Sequence, residues 1–232
     1  MSRTLVSVVL PVHNQADHIA EVVKEYEAAL SAIDRPHELL LVANACRDRT
    51  PEICRGLAAV RPSVRVVETD RGGWGLAVKL GLLHAQGDLL CFTNAARTSA
   101  ADLALVITTA CANAPVVVKA RREVRDSWKR RLGSFLYNLE CRIFFDLPYW
   151  DVNGTPKAFP RSFEKLLKLT HDDDLLDAEF NVVVARERYP MIEVPIHSAR
   201  RHGGKSTTNF RSAWNMYAGV YRMARDMRRP RR

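Results

Sequence analysis

The chain has 232 residues, of which 47% are hydrophobic and 26% charged, a globular balance that excludes disordered, collagen-like and disulfide-scaffold proteins. Its longest apolar stretch, Leu103 to Val118, is broken by Thr108, Thr109, Asn113 and Pro115, so no segment approaches the roughly 20 apolar residues of a membrane-crossing helix. The net charge of +9 is concentrated at the end: from Arg200 to Arg232 ten Lys/Arg stand against one acid, and the rest of the chain is neutral. That distribution points to an anionic surface or a phosphorylated ligand more than to a uniformly basic nucleic-acid binder.

In chain order, Leu5 to Val12 reads as a buried strand and Ala16 to Ile33 as a helix, with Ile19, Val22, Val23 and Tyr26 at helical spacing. Glu38 to Val42 is the next strand, Thr50 to Ala59 a helix, and Val64 to Glu68 a third strand. Gly75 to Ala85 (helix), Asp88 to Phe92 (strand), Ala101 to Ala112 (helix) and Pro115 to Lys119 (strand) continue the alternation. Such alternation predicts right-handed βαβ units in a mainly parallel sheet with helices on both faces. Ligands of such sheets bind beyond the carboxyl ends of the strands. The loops His13 to Asp17, Ala43 to Arg49, Thr69 to Trp74 and Thr93 to Ser99 are therefore the candidate site. The second half reads as a basic, then apolar helix from Arg121 to Phe145, and a strand from Gly154 to Phe159. Helices over Ser162 to Leu169 and Leu175 to Glu187 follow, then a strand from Met191 to Val194. A polar loop, His197 to Thr208, leads to a final helix, which sets the expected division at 1–208 for the α/β domain and 209–232 for a basic amphipathic helix and tail.

Arg3 and the short run after it lack the length and cleavage site of a signal peptide, so the chain is expected in the cytosol. Five cysteines without a CxxC pair predict reduced thiols, neither a disulfide framework nor a zinc site. There is no GxxxxGK[ST], and the cluster Gly72-Gly73-Trp74-Gly75 lacks the third glycine of a dinucleotide fingerprint. That cluster still opens a helix beside Arg71 and Lys79, where free N–H groups could cradle phosphate. A tight turn with solvated charges is the alternative.

The order of segments is specific. Ser7-Val8-Val9-Leu10-Pro11-Val12-His13-Asn14-Gln15 resembles the opening strand and loop of family 2 glycosyltransferases. Val42-Ala43-Asn44-Ala45-Cys46-Arg47-Asp48-Arg49-Thr50 is similar to that family's Val-Asp-Asp-Gly-Ser-x-Asp-x-Thr. Gly73-Trp74-Gly75-Leu76-Ala77-Val78-Lys79-Leu80-Gly81, closed by Ala85-Gln86-Gly87-Asp88, is similar to its Gly-Lys-Gly-x-Ala-x-Arg-x-Gly and Ala-x-Gly-Asp. Asp151 to Phe159 with Arg161, then Asp177-Ala178-Glu179, Glu193 to Ile196 and Arg201-His202-Gly203-Gly204-Lys205-Ser206, resemble the dolichol-phosphate mannosyltransferase-like branch. The resemblance covers about residues 5 to 225. It implies a GT-A fold that moves a sugar from a nucleotide-diphosphate sugar, in this branch often to a polyprenyl phosphate. It places Pro11, His13, Asn44 and Arg71 at the nucleotide, with Gly73, Lys79 and Asn94 near it. Asp177 and Glu179 fall in the acceptor-side acidic motif as catalytic candidates, and Lys157, Arg201, Lys205 and Ser206 in segments facing acceptor or phosphates. Asp177 and Glu179, two apart on a helix, cannot share one face, and Glu179 is the favoured site residue.

One departure bears on chemistry. Where the family carries Asp-x-Asp to hold Mg²⁺ or Mn²⁺, this chain has Thr93-Asn94-Ala95-Ala96-Arg97-Thr98. An amide and a methyl replace two carboxylates, and hard divalent cations favour charged oxygen ligands, so the usual metal ligands are missing. Three explanations stand: Arg97, with Arg71 and Lys79, does the metal's electrostatic work and joins the catalytic set; the chain binds a nucleotide sugar or a partner without turnover; or Asp172-Asp173-Asp174 with His171 forms a displaced metal site. Phe210, Trp214, Tyr217 and Tyr221 beside Arg211, Arg222, Arg225, Arg228 and Arg229 predict a final helix that lies on an anionic membrane, or is buried as core or a homodimer contact. The basic cluster Arg121 to Arg131 comes without any nucleic-acid module, so nucleic acid ranks behind these partners.

Overall fold

A computed structural model describes residues 4–124, 128–197 and 210–228. Seven strands form one sheet: β1 (Val6–Val12), β2 (His37–Asn44), β3 (Val64–Thr69), β4 (Leu89–Phe92), β5 (Val117–Val124), β6 (Lys157–Pro160) and β7 (Met191–His197). Their order is β3-β2-β1-β4-β6-β5-β7. The pairs β1/β2, β1/β4, β2/β3 and β5/β7 are parallel, and β6 alone runs against its neighbours β4 and β5. The expected mainly parallel α/β sheet is the observed one.

The strands are apolar throughout because both faces are covered, as parallel sheets require. Every residue of β1 is buried. On one face Val6, Val8, Leu10 and Val12 meet Ile19, Val22, Val23, Tyr26 and Leu30 of α1 (Ile19–Ser31), Cys54 and Leu57 of α2 (Thr50–Val60), and Leu103, Val106 and Ile107 of α4 (Ala100–Asn113). On the other, Val9, Leu40, Val42 and Phe92 pack on Ala77, Val78 and Leu82 of α3 (Trp74–His84) and on Leu176, Phe180 and Val184 of α6 (Leu176–Arg186). A third cluster joins α5 (Trp128–Phe145), α6 and α7 (Phe210–Arg228): Tyr137 and Cys141 of α5 lie with Ala178 and Val182 of α6 and Val220 and Met223 of α7. Tyr217 donates its hydroxyl to the Gly133 carbonyl at 2.7 Å and meets Tyr137 edge-on.

Two expected elements are corrected. The helix expected from Arg121 does not start there: Arg121 and Arg122 continue β5 in register with Pro195 and Ile196 of β7, and the helix is described over Trp128–Phe145. Arg122 is accepted there because Asp151 clamps it: its Nε and Nη2 lie 2.7 and 2.5 Å from the two carboxylate oxygens. The helix expected over Ser162 to Leu169 shrinks to one 3-10 turn, Glu164–Leu167, where Leu166 alone is buried. Among the described residues no helix is long and apolar enough to cross a membrane.

Candidate functional site

The carboxyl ends of β1, β2 and β3 are level, with Val12 opposite Ala43 and Asn44 opposite Thr69. The loops that follow are laced together. His13 Nδ1 lies 2.8 Å from the Asn44 carbonyl, which can only accept, so Nδ1 carries the proton and Nε2 accepts from the Asn14 amide at 3.1 Å. Asn14 takes a left-handed backbone (φ 51°) and its Oδ1 accepts the Arg47 N–H at 2.7 Å. Asn44 is buried, its amide donating to the carbonyls of Val12 at 3.1 Å and Val42 at 3.4 Å. This side chain therefore joins two strand ends, while exposed His13 presents its ring at the rim. Pro11 is buried inside β1. Burial raises the Asp48 carboxyl, but the Thr50 hydroxyl and the amides of Thr50 and Ala16 outweigh it and leave the group below the usual range.

The glycine cluster at the start of α3 is covered from outside by the segment 170–173. Gly73 has φ +144°, and a Cβ there would stand 2.4 Å from the Asp172 carbonyl oxygen; one on Gly75 would stand 2.4 Å from that of His171. Only glycine permits this approach. The Asp172 carbonyl accepts the Leu76 N–H at 2.9 Å, so one of the amides expected to cradle phosphate is already used. Arg71 and Lys79 converge as expected, but on the Asp172 carboxylate, at 3.1 and 2.7 Å. Lys79 also donates to the Thr170 carbonyl at 2.8 Å. The hydrogen bond from Lys79 is the main reason the Asp172 carboxyl sits below its ordinary value.

Both acids of the predicted motif are engaged. Glu179 holds the covering segment in place, accepting the N–H groups of Thr170 at 2.9 Å and His171 at 3.0 Å and the Thr170 hydroxyl at 2.8 Å. Asp177 is buried, ion-paired with Lys157 and accepting the Trp74 indole N–H at 3.0 Å. Lys157 lies beside the last residue of β4, in register with Phe92, and its ammonium sits 5.5 and 5.6 Å from the ring centres of Phe92 and Phe180. Burial pushes the Lys157 pKa down.

Behind this pair lies a polar network that local patterning did not single out. Lys119, fully buried in β5, donates to the Trp150 carbonyl at 2.7 Å and Asn181 Oδ1 at 3.2 Å, with Glu193 at 3.0 Å; burial lowers its pKa to about 8. The one available signal was a lysine ending the apolar run Val116 to Val118, since a charge in a buried strand demands a partner.

At the end of β4, Asn94 closes a turn: its Oδ1 accepts the Ala96 N–H at 3.0 Å and its carbonyl the N–H groups of Arg97 and Thr98, both at 3.1 Å. Thr93 and Thr98 join hydroxyls at 2.7 Å, and Tyr26 donates to the Thr98 carbonyl at 2.9 Å. Ala95 and Ala96 are buried and Arg97 is half-buried. A hard divalent cation needs several free oxygen ligands, and here the Asn94 Oδ1 is committed to an amide and the Thr93 and Thr98 hydroxyls to each other. Among the described residues no three His, Cys, Asp or Glu side chains are grouped to hold a metal, Asp172 being paired with Arg71 and Lys79. The donor set does not fit Mg²⁺ or Mn²⁺ at this loop. Arg201, Lys205 and Ser206 lie outside the described residues. A cleft of about 800 Å³ bordered by Thr4, Asp88, Leu89 and Pro160 opens at the amino ends of β1 and β4, away from this rim.

Residues 7–172 match the family model described as glycosyl transferase family 2. The chain is 30% identical over 205 residues to an undecaprenyl-phosphate 4-deoxy-4-formamido-L-arabinose transferase of Edwardsiella ictaluri, covering 87% of this chain and 62% of that protein. It is 25% identical over 214 residues to the protein of the same name from an Enterobacter species, covering 91% and 64%. The chain thus spans about three-fifths of the length of these curated relatives. Among solved structures, glucosyl-3-phosphoglycerate synthase from Mycobacterium tuberculosis, in complex with Mn²⁺, UDP and phosphoglyceric acid, superposes with a TM-score of 0.71 at 17% identity, over 94% of this chain and 76% of the other. A mannosyltransferase from Pyrobaculum calidifontis, in complex with GDP-Man and Mn²⁺, gives 0.61 at 21% identity, over 100% and 66%. These similarities place the fold in the GT-A class.

Proposed function

The chain belongs to glycosyl transferase family 2, and from that premise we propose that it moves a sugar from a nucleotide-diphosphate sugar to a polyprenyl phosphate, without a divalent metal at the end of β4. The curated relatives act on undecaprenyl phosphate by name, which supports the acceptor class. The observation that carries the metal-independent part is the turn Asn94-Ala95-Ala96-Arg97, in which an amide and a buried methyl group stand where the family has carboxylates and a guanidinium follows one residue on. A departing nucleoside diphosphate needs its charge neutralised, and guanidinium does this by directed hydrogen bonds. Arg97 takes that role here, with His13 at the nucleotide edge of the rim. Arg71 is exposed and held to Asp172 by a surface ion pair, an interaction weak enough to be exchanged for a diphosphate. The acceptor phosphate is already ionised, so attack needs no strong general base; this agrees with both Asp177 and Glu179 being occupied in structural bonds. We further place the polyprenyl phosphate at the rim beside Lys157, with Arg201, Lys205 and Ser206 closing over phosphates, and the protein peripherally on the membrane as one 1–208 catalytic domain carrying the 209–232 helix and tail.

The engaged acids also favour a second reading, binding of a nucleotide sugar without turnover. The experiment is a thermal-shift panel of UDP-, GDP-, dTDP- and CDP-sugars, each with EDTA and with added Mg²⁺ or Mn²⁺, followed by transfer assays on polyprenyl phosphate. A ligand at about 100 times its Kd adds roughly 2.7 kcal/mol of stability, a readily measured shift. The proposal expects one nucleotide to stabilise in EDTA, transfer to proceed there, and Arg97→Ala to lower kcat by about a hundredfold or more. Stabilisation only with metal overturns metal independence. Binding without transfer favours the second reading.

A further inference from the structure

The cleft of about 800 Å³ at the amino ends of β1 and β4 is separate from the donor rim. Leu89 opens β4 in register with Pro160, which closes β6, and both border the cleft, whereas the rim lies at the other ends of β1 and β4. The seven residues of β1 set the two about 20 Å apart. Small-molecule sites are concave, mostly apolar clefts of roughly 300–1,000 Å³ with a few charged groups, and this one has that size and that lining. Its apolar part comes from three elements: Leu89 of β4 and Ala110 of α4 are buried, while Cys111 of α4 and Leu167 of the 3-10 turn are half-buried.

Charge selects the class of ligand. Glu164 and Lys168, both exposed on the border, face each other at 4.0 Å and cancel. Two guanidiniums remain. Arg161 is half-buried, its Nε and Nη2 donating to the carbonyls of Gly87 and Ala85, both at 2.7 Å. Those carbonyls fix the guanidinium and use two of its nitrogens, but they do not neutralise its charge. Arg35, exposed in the turn before β2, stands near Cys111: burial raises the pKa of that thiol, and the Arg35 charge partly offsets the rise. Neither arginine ion-pairs with a carboxylate among the described residues. Against them stand Asp88, whose Oδ2 accepts the Leu5 N–H at 3.3 Å, and the carboxyl end of α4, which carries about half a negative charge. The surplus is positive and below one charge, which matches a monoanionic carboxylate better than a dianionic phosphate. Guanidinium groups suit a carboxylate because their N–H groups form directed, charge-assisted hydrogen bonds with its oxygens.

We propose that this cleft is a second ligand site, for a small organic carboxylate with an apolar body. The carboxylate lies against Arg35 and Arg161, and the body covers Leu89, Ala110 and Leu167. The site stands at the opposite end of β1 and β4 from the donor rim and does not depend on the transferase reading.

The test is the rate at which N-ethylmaleimide alkylates Cys111 in the full chain, read by peptide mass spectrometry, with phenylbutyrate as the probe and phenylbutanol as its neutral counterpart. Cys46, half-buried in the loop after β2 at the donor rim, is the control within the same molecule. Phenylbutyrate is expected to slow Cys111 saturably, with a Kd of about 1 mM or below, and to leave Cys46 unchanged. Phenylbutanol should bind about fivefold or more weakly, because it cannot accept charge-assisted bonds from the arginines. Arg35→Gln breaks no ion pair, so its melting curve should match wild type, and it should weaken phenylbutyrate by about fivefold or more. Ser162→Trp, at an exposed position on the border, should fill the cleft and abolish protection. Rates are compared with and without probe within each variant, and Arg35→Gln alone decides if Ser162→Trp melts lower. No saturable protection, equal protection by phenylbutanol, equal slowing of Cys46, or undiminished affinity in either well-folded variant each overturns the proposal.

Discussion

Asp177→Asn separates a buried ion pair from a catalytic base. Lys157 is wholly buried, and Asp177 is the one carboxylate in the structure that ion-pairs with it among the described residues. Removing one partner of a buried pair costs about 3–5 kcal/mol, because a charge is left without compensation. Two effects reduce this. The faces of Phe92 and Phe180 supply about 1 kcal/mol of cation–π attraction, and a lysine whose pKa burial already lowers can shed its proton. A net loss of about 2–4 kcal/mol remains, which in a chain of this size lowers Tm by roughly 5–15 °C. Differential scanning fluorimetry on Asp177→Asn, Lys157→Met and the double variant measures it. Each single substitution should show the loss, and the double variant, in which no lone charge is buried, should recover most of it. A Tm change below about 2 °C in Asp177→Asn, with transfer abolished, would refute this account and make Asp177 an accessible base.

Two further outcomes follow from the same contacts. The Glu140 carboxyl, raised by burial to about 7 from 4.5, binds a proton in the folded state that the unfolded chain has released between those pH values, so stability falls as pH rises through that window. Glu140→Gln should therefore melt higher than wild type near pH 8, with the gap closing near pH 5. Gly75→Ala puts a methyl group 2.4 Å from the His171 carbonyl; overpacking of about 1–3 kcal/mol should exceed the helix-propensity gain of about 1 kcal/mol, lowering Tm by a few degrees.

Local sequence determined the first half of the fold almost residue by residue. Apolar runs such as Val6–Val12 and Leu39 to Val42 can only be strands buried on both faces, and α2 starts at Thr50, where Pro51 favours a first turn. The motif order also identified the family, because loops at strand ends carry their residues at fixed separations along the chain. Tertiary structure decided what the charges do. Arg71 and Asp172 are separated by 101 residues, and Trp74 and Asp177 by 103, so no periodicity or local motif could pair them. A rim that reads as free cations and free acids pairs Arg71 and Lys79 with Asp172, and Lys157 with Asp177, once folded. The same holds for α5. Its pattern signals a helix apolar on more than one side, but which side remains open depended on where α6 and α7 came to rest. Arg121 and Arg122 were legible as helix for the same reason: the partners that hold them in a strand, Asp151 and β7, lie far along the chain.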